Sequence, residues 1–228
     1  MKPKDKSLLK LHIDRVHKSK LIQKHIVAIS DNSTDDVLDE YCKKSTIEFA
    51  RGNENDVLDR FYKIAVQFNP DVIVRLTADC PLIDPTLIDE TIHFYLASKV
   101  DYASNNLKPT FPDGLDVEVF SFPALEKAWK EATLKSEREH VTSYIWKNST
   151  LKGGSLFSSA NYLSEVDFSN YRMTVDEKED FLLIKKLIDQ LGDDKPWIDY
   201  INYIIQNKLN INTQFTRNEG YFKSLSKD

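Results

Sequence analysis

The sequence predicts an α/β protein in which a mainly parallel sheet is flanked by helices. Short apolar runs of strand length alternate with segments of helical periodicity through the first hundred residues. The strongest run, residues 71–76, follows the helix-breaking pair Asn69-Pro70 and is typical of the best buried strand in the chain. Strands separated by helices of this length form right-handed βαβ units, so parallel pairing is expected.

Each element follows from its local pattern, either apolar residues every three or four positions or clustered β-branched and aromatic residues. In chain order the pattern predicts a helix at 8–16, a strand at 25–30, a helix at 34–44 with Val37, Leu38 and Tyr41 inward, a strand at 46–50, a helix at 54–68, the strand at 71–76, a helix at 85–97, a strand at 115–120, helices at 123–132 and 137–147, a strand opening at the Gly-Gly pair 153–154, a core strand at 172–175, and helices at 177–191 and 196–207. We expect one domain over residues 1–208 and a polar tail over 209–228.

Composition excludes several classes of function. The net charge of −5 argues against broad nucleic-acid binding, although residues 1–25 carry eight Lys or Arg. That basic segment could be a solvated helix face or a rim that attracts phosphate. The two cysteines, Cys42 and Cys80, form no CxxC pair, so a disulfide scaffold is not expected and a reducing, cytoplasmic compartment fits. No apolar run has the length of a signal peptide or membrane span.

Two carboxylates follow predicted strands, where ligands bind in open α/β sheets. Asp79 comes just after the strand at 71–76, and it could equally be a turn residue that bonds its own backbone. Asp176 comes just after 172–175 and forms with Glu179 the pattern of a helix capping box. Two carboxylates that converge on one crevice would suit a hard Mg²⁺ ion bound to a triphosphate.

A second set of polar residues lies in the middle of the chain. Asp116 and Glu118 share one face of the strand at 115–120, where they could contact sugar hydroxyls or form the solvated side of an edge strand. Arg138 and His140 could touch an anionic substrate, or His140 could be a half-buried helical histidine. Neither a Walker loop nor GxGxxG occurs, so P-loop NTPases and dinucleotide dehydrogenases gain no support.

Six segments in order carry a family resemblance. They are RGNENDVL (51–58), RLTADCPLID (75–84), FPDGLDVEVF (111–120), SEREHVT (136–142), TVD (174–176) and NEGYFKSL (218–225). Together they resemble the cytidylyltransferases of the spore coat polysaccharide type, which are related to the CMP-KDO and CMP-sialic acid synthetases. The resemblance implies a GT-A-like, Rossmann-like nucleotidyltransferase fold.

The resemblance also implies the reaction and its residues. A sugar hydroxyl would attack the α-phosphate of CTP and release pyrophosphate, in surface or spore coat polysaccharide biosynthesis. Asp79 and Asp176 would be catalytic and would bind the Mg²⁺ cofactor. Nucleotide contacts are implied at Arg51, Asn53, Asp56 and Thr77, and substrate contacts at Asp116, Glu118, Arg138 and His140. Related synthetases are often dimers, so a homodimer is one expectation and the oligomeric state stays open.

The resemblance breaks at the N-terminus. Relatives begin with a strand and a basic loop that wraps the triphosphate, whereas this sequence begins at the helix that follows. We therefore expect a chain without the usual first strand, with the strands at 26–29 and 72–76 lacking their shared neighbour and with little cytidylyl transfer by this chain alone. Two alternatives stay open: a GT-A glycosyltransferase that uses a nucleotide-sugar, and a non-catalytic remnant or partner subunit.

Overall fold

The structure is a computed structural model that describes residues 6–209 and 217–228, so Lys2 and Lys4 of the basic segment lie outside the described residues. The described helices are α1 (Leu8–Val16), α2 (Asp36–Lys44), α3 (Val57–Phe68), α4 (Pro85–Ser98), α5 (Phe122–Glu131), α6 (Lys135–Glu139), α7 (Ser143–Lys147), α8 (Lys178–Leu191), α9 (Trp197–Gln206) and α10 (Glu219–Ser224). The described strands are β1 (Val27–Ser30), β2 (Phe49–Gly52), β3 (Val72–Arg75), β4 (Tyr102–Ser104), β5 (Glu118–Ser121) and β6 (Ser159–Asn161). The boundary expected between 208 and 209 adjoins undescribed residues and stays a prediction.

The strands form two sheets. β1 and β2 pair in parallel, with Val27 opposite Phe49. The other sheet has the order β3-β5-β4-β6, in which β5 runs antiparallel to both neighbours and β4 pairs in parallel with β6. The predicted α/β class, with parallel pairs flanked by helices, is confirmed. Among the described residues no backbone pairing joins β1 to β3.

Helices cover both faces of the four-stranded sheet. Because successive strand residues point to opposite faces, Val119 packs with Leu87 and Ile184 of α4 and α8, while Phe120 packs with Leu58 and Leu125 of α3 and α5. These two apolar clusters make a three-layer arrangement. In the part of the chain that the structure describes, no helix is both long and apolar enough to cross a membrane.

The prediction that β3 is the best buried strand is wrong. All four β3 residues are only partly buried, whereas β4 is buried throughout and three of the four β5 residues are buried. β3 lies at the end of its sheet, while β5 and β4 have a strand on each side. Burial therefore follows position in the sheet more closely than apolar content does.

Two predicted helical features also differ. The helix expected at 137–147 is divided into α6 and α7, because Val141 adopts a left-handed conformation with φ 48°. Val37, expected to face inward on α2, is 73% exposed, and Asp39 and Cys42 are the buried residues of that helix. The inward stripe of α2 is thus rotated from the predicted one.

The segment at 172–175 is not a strand, contrary to prediction. Its backbone bonds to two loops: the Met173 N–H donates to the Asp113 carbonyl (2.6 Å) and the Val175 N–H donates to the Asp79 carbonyl (2.9 Å). A single parallel bridge, between Asp113 and Arg172, is the remnant of strand pairing. The strand expected after 153–154 begins later, as β6. An extended apolar segment thus binds loops in place of a sheet, and those loops carry polar residues.

Candidate active site

A cleft of about 580 Å³ opens where β3 ends and β5 begins. Because β5 is antiparallel to β3, the carboxyl end of β3 meets the amino end of β5, and Arg75 lies opposite Glu118. The lining includes six of the residues proposed from sequence: Thr77, Asp79, Asp116, Glu118, His140 and Asp176. It does not include Arg51, Asn53, Asp56 or Arg138.

Asp79 and Asp176 are brought to one wall of the cleft by backbone contact. The Asp79 carbonyl accepts hydrogen bonds from the Val175 N–H at 2.9 Å and from the Thr174 hydroxyl at 3.3 Å. Thr174 and Asp79 are 95 positions apart in the sequence. Both aspartates are exposed, and the Asp79 carboxylate accepts a weak hydrogen bond from the Cys80 thiol at 3.5 Å. Its oxygen atoms therefore remain available to a ligand.

The capping box predicted for Asp176 and Glu179 is wrong by one residue. Glu177 is the N-cap of α8, and the Asp180 carboxylate accepts the backbone N–H of Asp176 (3.1 Å) and of Glu177 (3.0 Å). The Asp176 side chain is thus not used as a cap, and it contacts Arg172 at the edge of the cleft. Capping of α8 and the contact with Arg172 thus fall on different carboxylates, Asp180 and Asp176.

Arg172 bonds to several carboxylates of this wall, and it was not among the site residues predicted from the sequence. It donates to Asp113 (2.6 Å) and Asp180 (3.0 Å), and it also bonds Asp176. Burial raises the pKa of Asp113, which is only 8% exposed, while Arg172 acts against that shift. The available signal was local, since Arg172 lies only four positions before Asp176 in the sequence.

Gly114 allows the two walls to meet. It has φ 98°, and a Cβ at this position would lie 2.4 Å from the Thr174 backbone nitrogen. A side chain here would push the loop that carries Asp113 and Asp116 away from the segment that carries Asp176. Close approach of these two segments therefore depends on the glycine.

Glu118 lies at the floor of the cleft, and it is not on a solvated edge strand. It is 3% exposed, its carboxylate accepts the hydroxyls of Tyr102 and Thr142 (2.6 Å each), and it pairs with Arg75. With all of these donors in place, Glu118 holds its neighbours in position. Arg75 lines the cleft beside it.

Asp116 pairs with Arg217 from the C-terminal segment. Burial raises the pKa of Asp116 to about 6, although Arg217 acts in the opposite direction. Arg217 also donates to the Phe111 carbonyl at 3.0 Å. The predicted polar tail therefore returns to the site, where residues 218–221 and Lys223 line the cleft.

The four predicted residues outside the lining make contacts within the scaffold. Arg51 donates to the carbonyls of Ser30 (3.0 Å) and Asn32 (2.9 Å). Asn53 accepts two backbone N–H groups in its own loop, and Arg138 forms a two-pronged ion pair with Asp56, the N-cap of α3. Their implied roles at nucleotide and substrate stay predictions.

The donor set fits a magnesium ion. The described residues contain no cluster of three or more His, Cys, Asp or Glu arranged to hold a metal. Magnesium binding by the exposed carboxylates of Asp79 and Asp176, which both line the cleft, stays a prediction. Mg²⁺ usually keeps several waters and takes one or two protein carboxylates together with substrate phosphates, so two are sufficient.

Comparison with known proteins agrees with this architecture. The profile of the cytidylyltransferase family matches residues 3–214. An uncharacterized protein of Methanocaldococcus jannaschii is 37% identical over 90% of this chain and 87% of its own length. The spore coat polysaccharide biosynthesis protein SpsF of Bacillus subtilis is 35% identical over 82% of this chain and 77% of its own.

A solved structure is also similar over nearly the whole chain. The structure of a cytidylyltransferase from Leptospira borgpetersenii is 33% identical, with a TM-score of 0.84 over 93% of this chain and 88% of that one. The resemblance seen in the six sequence segments is thereby confirmed at the level of family and fold. The chain belongs to the cytidylyltransferase family of nucleotidyltransferase enzymes.

Proposed function

We propose that this site transfers the cytidylyl group of CTP to a sugar hydroxyl, forming a CMP-sugar and pyrophosphate for a surface or spore coat polysaccharide. Family membership supports the cytidylyl transfer, and the similarity to SpsF supports the pathway. One observation supports the proposal: the Val175 N–H donates to the Asp79 carbonyl, and both Asp79 and Asp176 line the cleft.

In this proposal, different residues of the cleft contact the phosphates and the sugar. Asp79 and Asp176 would hold Mg²⁺, which when bound neutralises charge on the phosphates and on the leaving pyrophosphate. Arg75, anchored by Glu118, offers its remaining N–H groups to phosphate oxygens. Asp116 lines the cleft as a carboxylate that can accept a hydrogen bond from a sugar hydroxyl. Fixed groups of this kind accelerate transfer by positioning the reactants.

The test measures CTP binding and pyrophosphate release by the 228-residue chain. We expect Mg²⁺-dependent binding of CTP by calorimetry, weaker binding of ATP, GTP and UTP, and release of one pyrophosphate for each CMP-sugar detected by mass spectrometry. Sugar transfer from a nucleotide-sugar without pyrophosphate would instead identify a glycosyltransferase. Absence of CTP binding would favour a non-catalytic remnant or partner.

Two earlier expectations are measured in the same experiment. The sequence alone led to the opposite expectation, little cytidylyl transfer by this chain, and pyrophosphate release in this experiment would show that expectation to be wrong. Light scattering during purification would show whether the chain forms the homodimer expected from related synthetases.

A further inference from the structure

The C-terminal segment forms a wall of the cleft that the reaction described above does not use. Arg217 fastens one end through Phe111 and Asp116, and the Asp228 carboxylate fastens the other by accepting the Ser136 N–H (2.8 Å) and hydroxyl (2.6 Å). Between these anchors the side chains of residues 218, 219, 221 and 223 border the cleft. A segment held at both ends presents a defined surface to a ligand.

Three aromatic rings meet where this segment reaches the cleft. The Tyr221 ring lies 5.4 Å from His140 at 83° and 5.2 Å from Trp146 at 69°, and all three residues line the cleft. Most other lining residues are charged or polar. An aromatic cluster inside a polar cleft suits a ligand with both an apolar face and polar edges, which describes a pyranose ring.

Two polar groups lie beside the rings, a buried imidazole nitrogen and an exposed ammonium group. The His140 Nε2 atom is buried and has no hydrogen-bond partner in the described residues. The exposed Lys152 ammonium lies over the Trp146 ring, 5.9 Å from its centroid, in a cation–π contact. A buried polar atom without a partner is costly, so a ligand that supplies one is favoured.

We propose that Trp146, Tyr221, His140 and Lys152 form the subsite for the sugar. The apolar face of a pyranose packs against the rings, and its oxygens bond the His140 Nε2 and the Lys152 ammonium. Hydroxyl and carboxylate oxygens share this chemistry, so the subsite takes a neutral sugar or a sugar acid. The assignment rests on the proposed function, and it places sugar selection on residues separate from the carboxylates of Asp79 and Asp176.

Steady-state kinetics test the assignment by comparing the KM for the sugar with the KM for CTP. Tyr221→Ala and Lys152→Gln should each raise the KM for the sugar about tenfold, with the KM for CTP unchanged. The matched control is Phe222→Ala, since Phe222 neighbours Tyr221 but is 56% exposed and does not line the cleft. Circular dichroism confirms that each variant is folded. An equal rise in both KM values would overturn the assignment.

Fluorescence tests the subsite even if turnover is absent. Glucose and glucuronate are titrated into the protein in the presence of CMP, with Trp146→Phe as the blank. We expect at least one of them to quench Trp146 emission, and loss of that quenching in Tyr221→Ala. A stronger response to glucuronate that Lys152→Gln removes would identify a sugar acid. If neither sugar quenches, the subsite is refuted, whereas absent CTP binding refutes only the proposed function.

Discussion

The sheet of β1 and β2 and the sheet that contains β3 both carry polar residues at strand ends, and residues from the second sheet line the cleft described above. Arg51 of β2 bonds partners 21, 19 and 15 positions away, namely Ser30, Asn32 and Asp36. In the cleft, by contrast, Arg172 bonds Asp113 across 59 positions. Arg51 in the smaller sheet bonds to residues that are nearby in the sequence. In the larger sheet, bonds between residues far apart in the sequence hold the walls of the cleft together.

The largest expected effect comes from the two carboxylates that are proposed to bind Mg²⁺. Asp79→Asn and Asp176→Asn should each reduce Mg²⁺-dependent pyrophosphate release by about 100-fold or more, because the charge that holds the ion is removed. Electron paramagnetic resonance of bound Mn²⁺ should show weakened binding in both variants. Asp71→Asn, at an exposed position outside the cleft, is the control. Unaltered Mn²⁺ binding by either cleft variant would remove that residue from the site.

The next effect concerns the floor of the cleft. Glu118→Gln leaves Arg75 without its negative partner, so we expect a loss of about 3 kcal/mol in the free energy of unfolding, measured with urea. The control is Glu48→Gln, whose exposed pair with Lys24 should contribute less than about 1 kcal/mol. Similar losses in the two variants would show that the buried pair has no special role.

A smaller effect depends on pH. The pKa of Asp116, raised from 3.8 to about 6, means that the folded protein holds this proton more tightly than the unfolded chain does. The stability contributed by Asp116 is therefore full below pH 4 and is lost as the pH rises through 6. Relative to Asp116→Asn, the wild-type free energy of unfolding should fall by about 2 kcal/mol between pH 4 and pH 7. A difference that stays flat would contradict the raised pKa.

The smallest effect concerns a predicted substrate residue outside the cleft. Arg138→Gln breaks the ion pair with Asp56 and should lower the free energy of unfolding by about 1–2 kcal/mol. Because Arg138 does not line the cleft, the KM values should change by less than about twofold. A large rise in the KM for the sugar would instead support the role that the family resemblance implies.

Local patterns predicted the elements well where local forces decide them. The amphipathic helices α4 and α8 lie within one residue of their predicted bounds, because apolar periodicity, Pro85 at the start of α4 and Gly192 after α8 act over single turns. The predictions were wrong where tertiary contacts decide the backbone conformation. Residues 172–175 have a strand pattern, yet they bond to the loops of Asp113 and Asp79, and Val141 divides a helix that periodicity made continuous.

The candidate site shows the same division. By itself, the sequence determined the α/β class, the family resemblance and the positions of Asp79 and Asp176 after apolar segments. Only the tertiary structure decided that Glu118 is buried among three donors, that Arg172 joins the carboxylates, and that the C-terminal segment returns to line the cleft. The reason is physical: residue type and spacing specify backbone conformation over a few residues, whereas contacts between distant residues depend on how the whole chain packs.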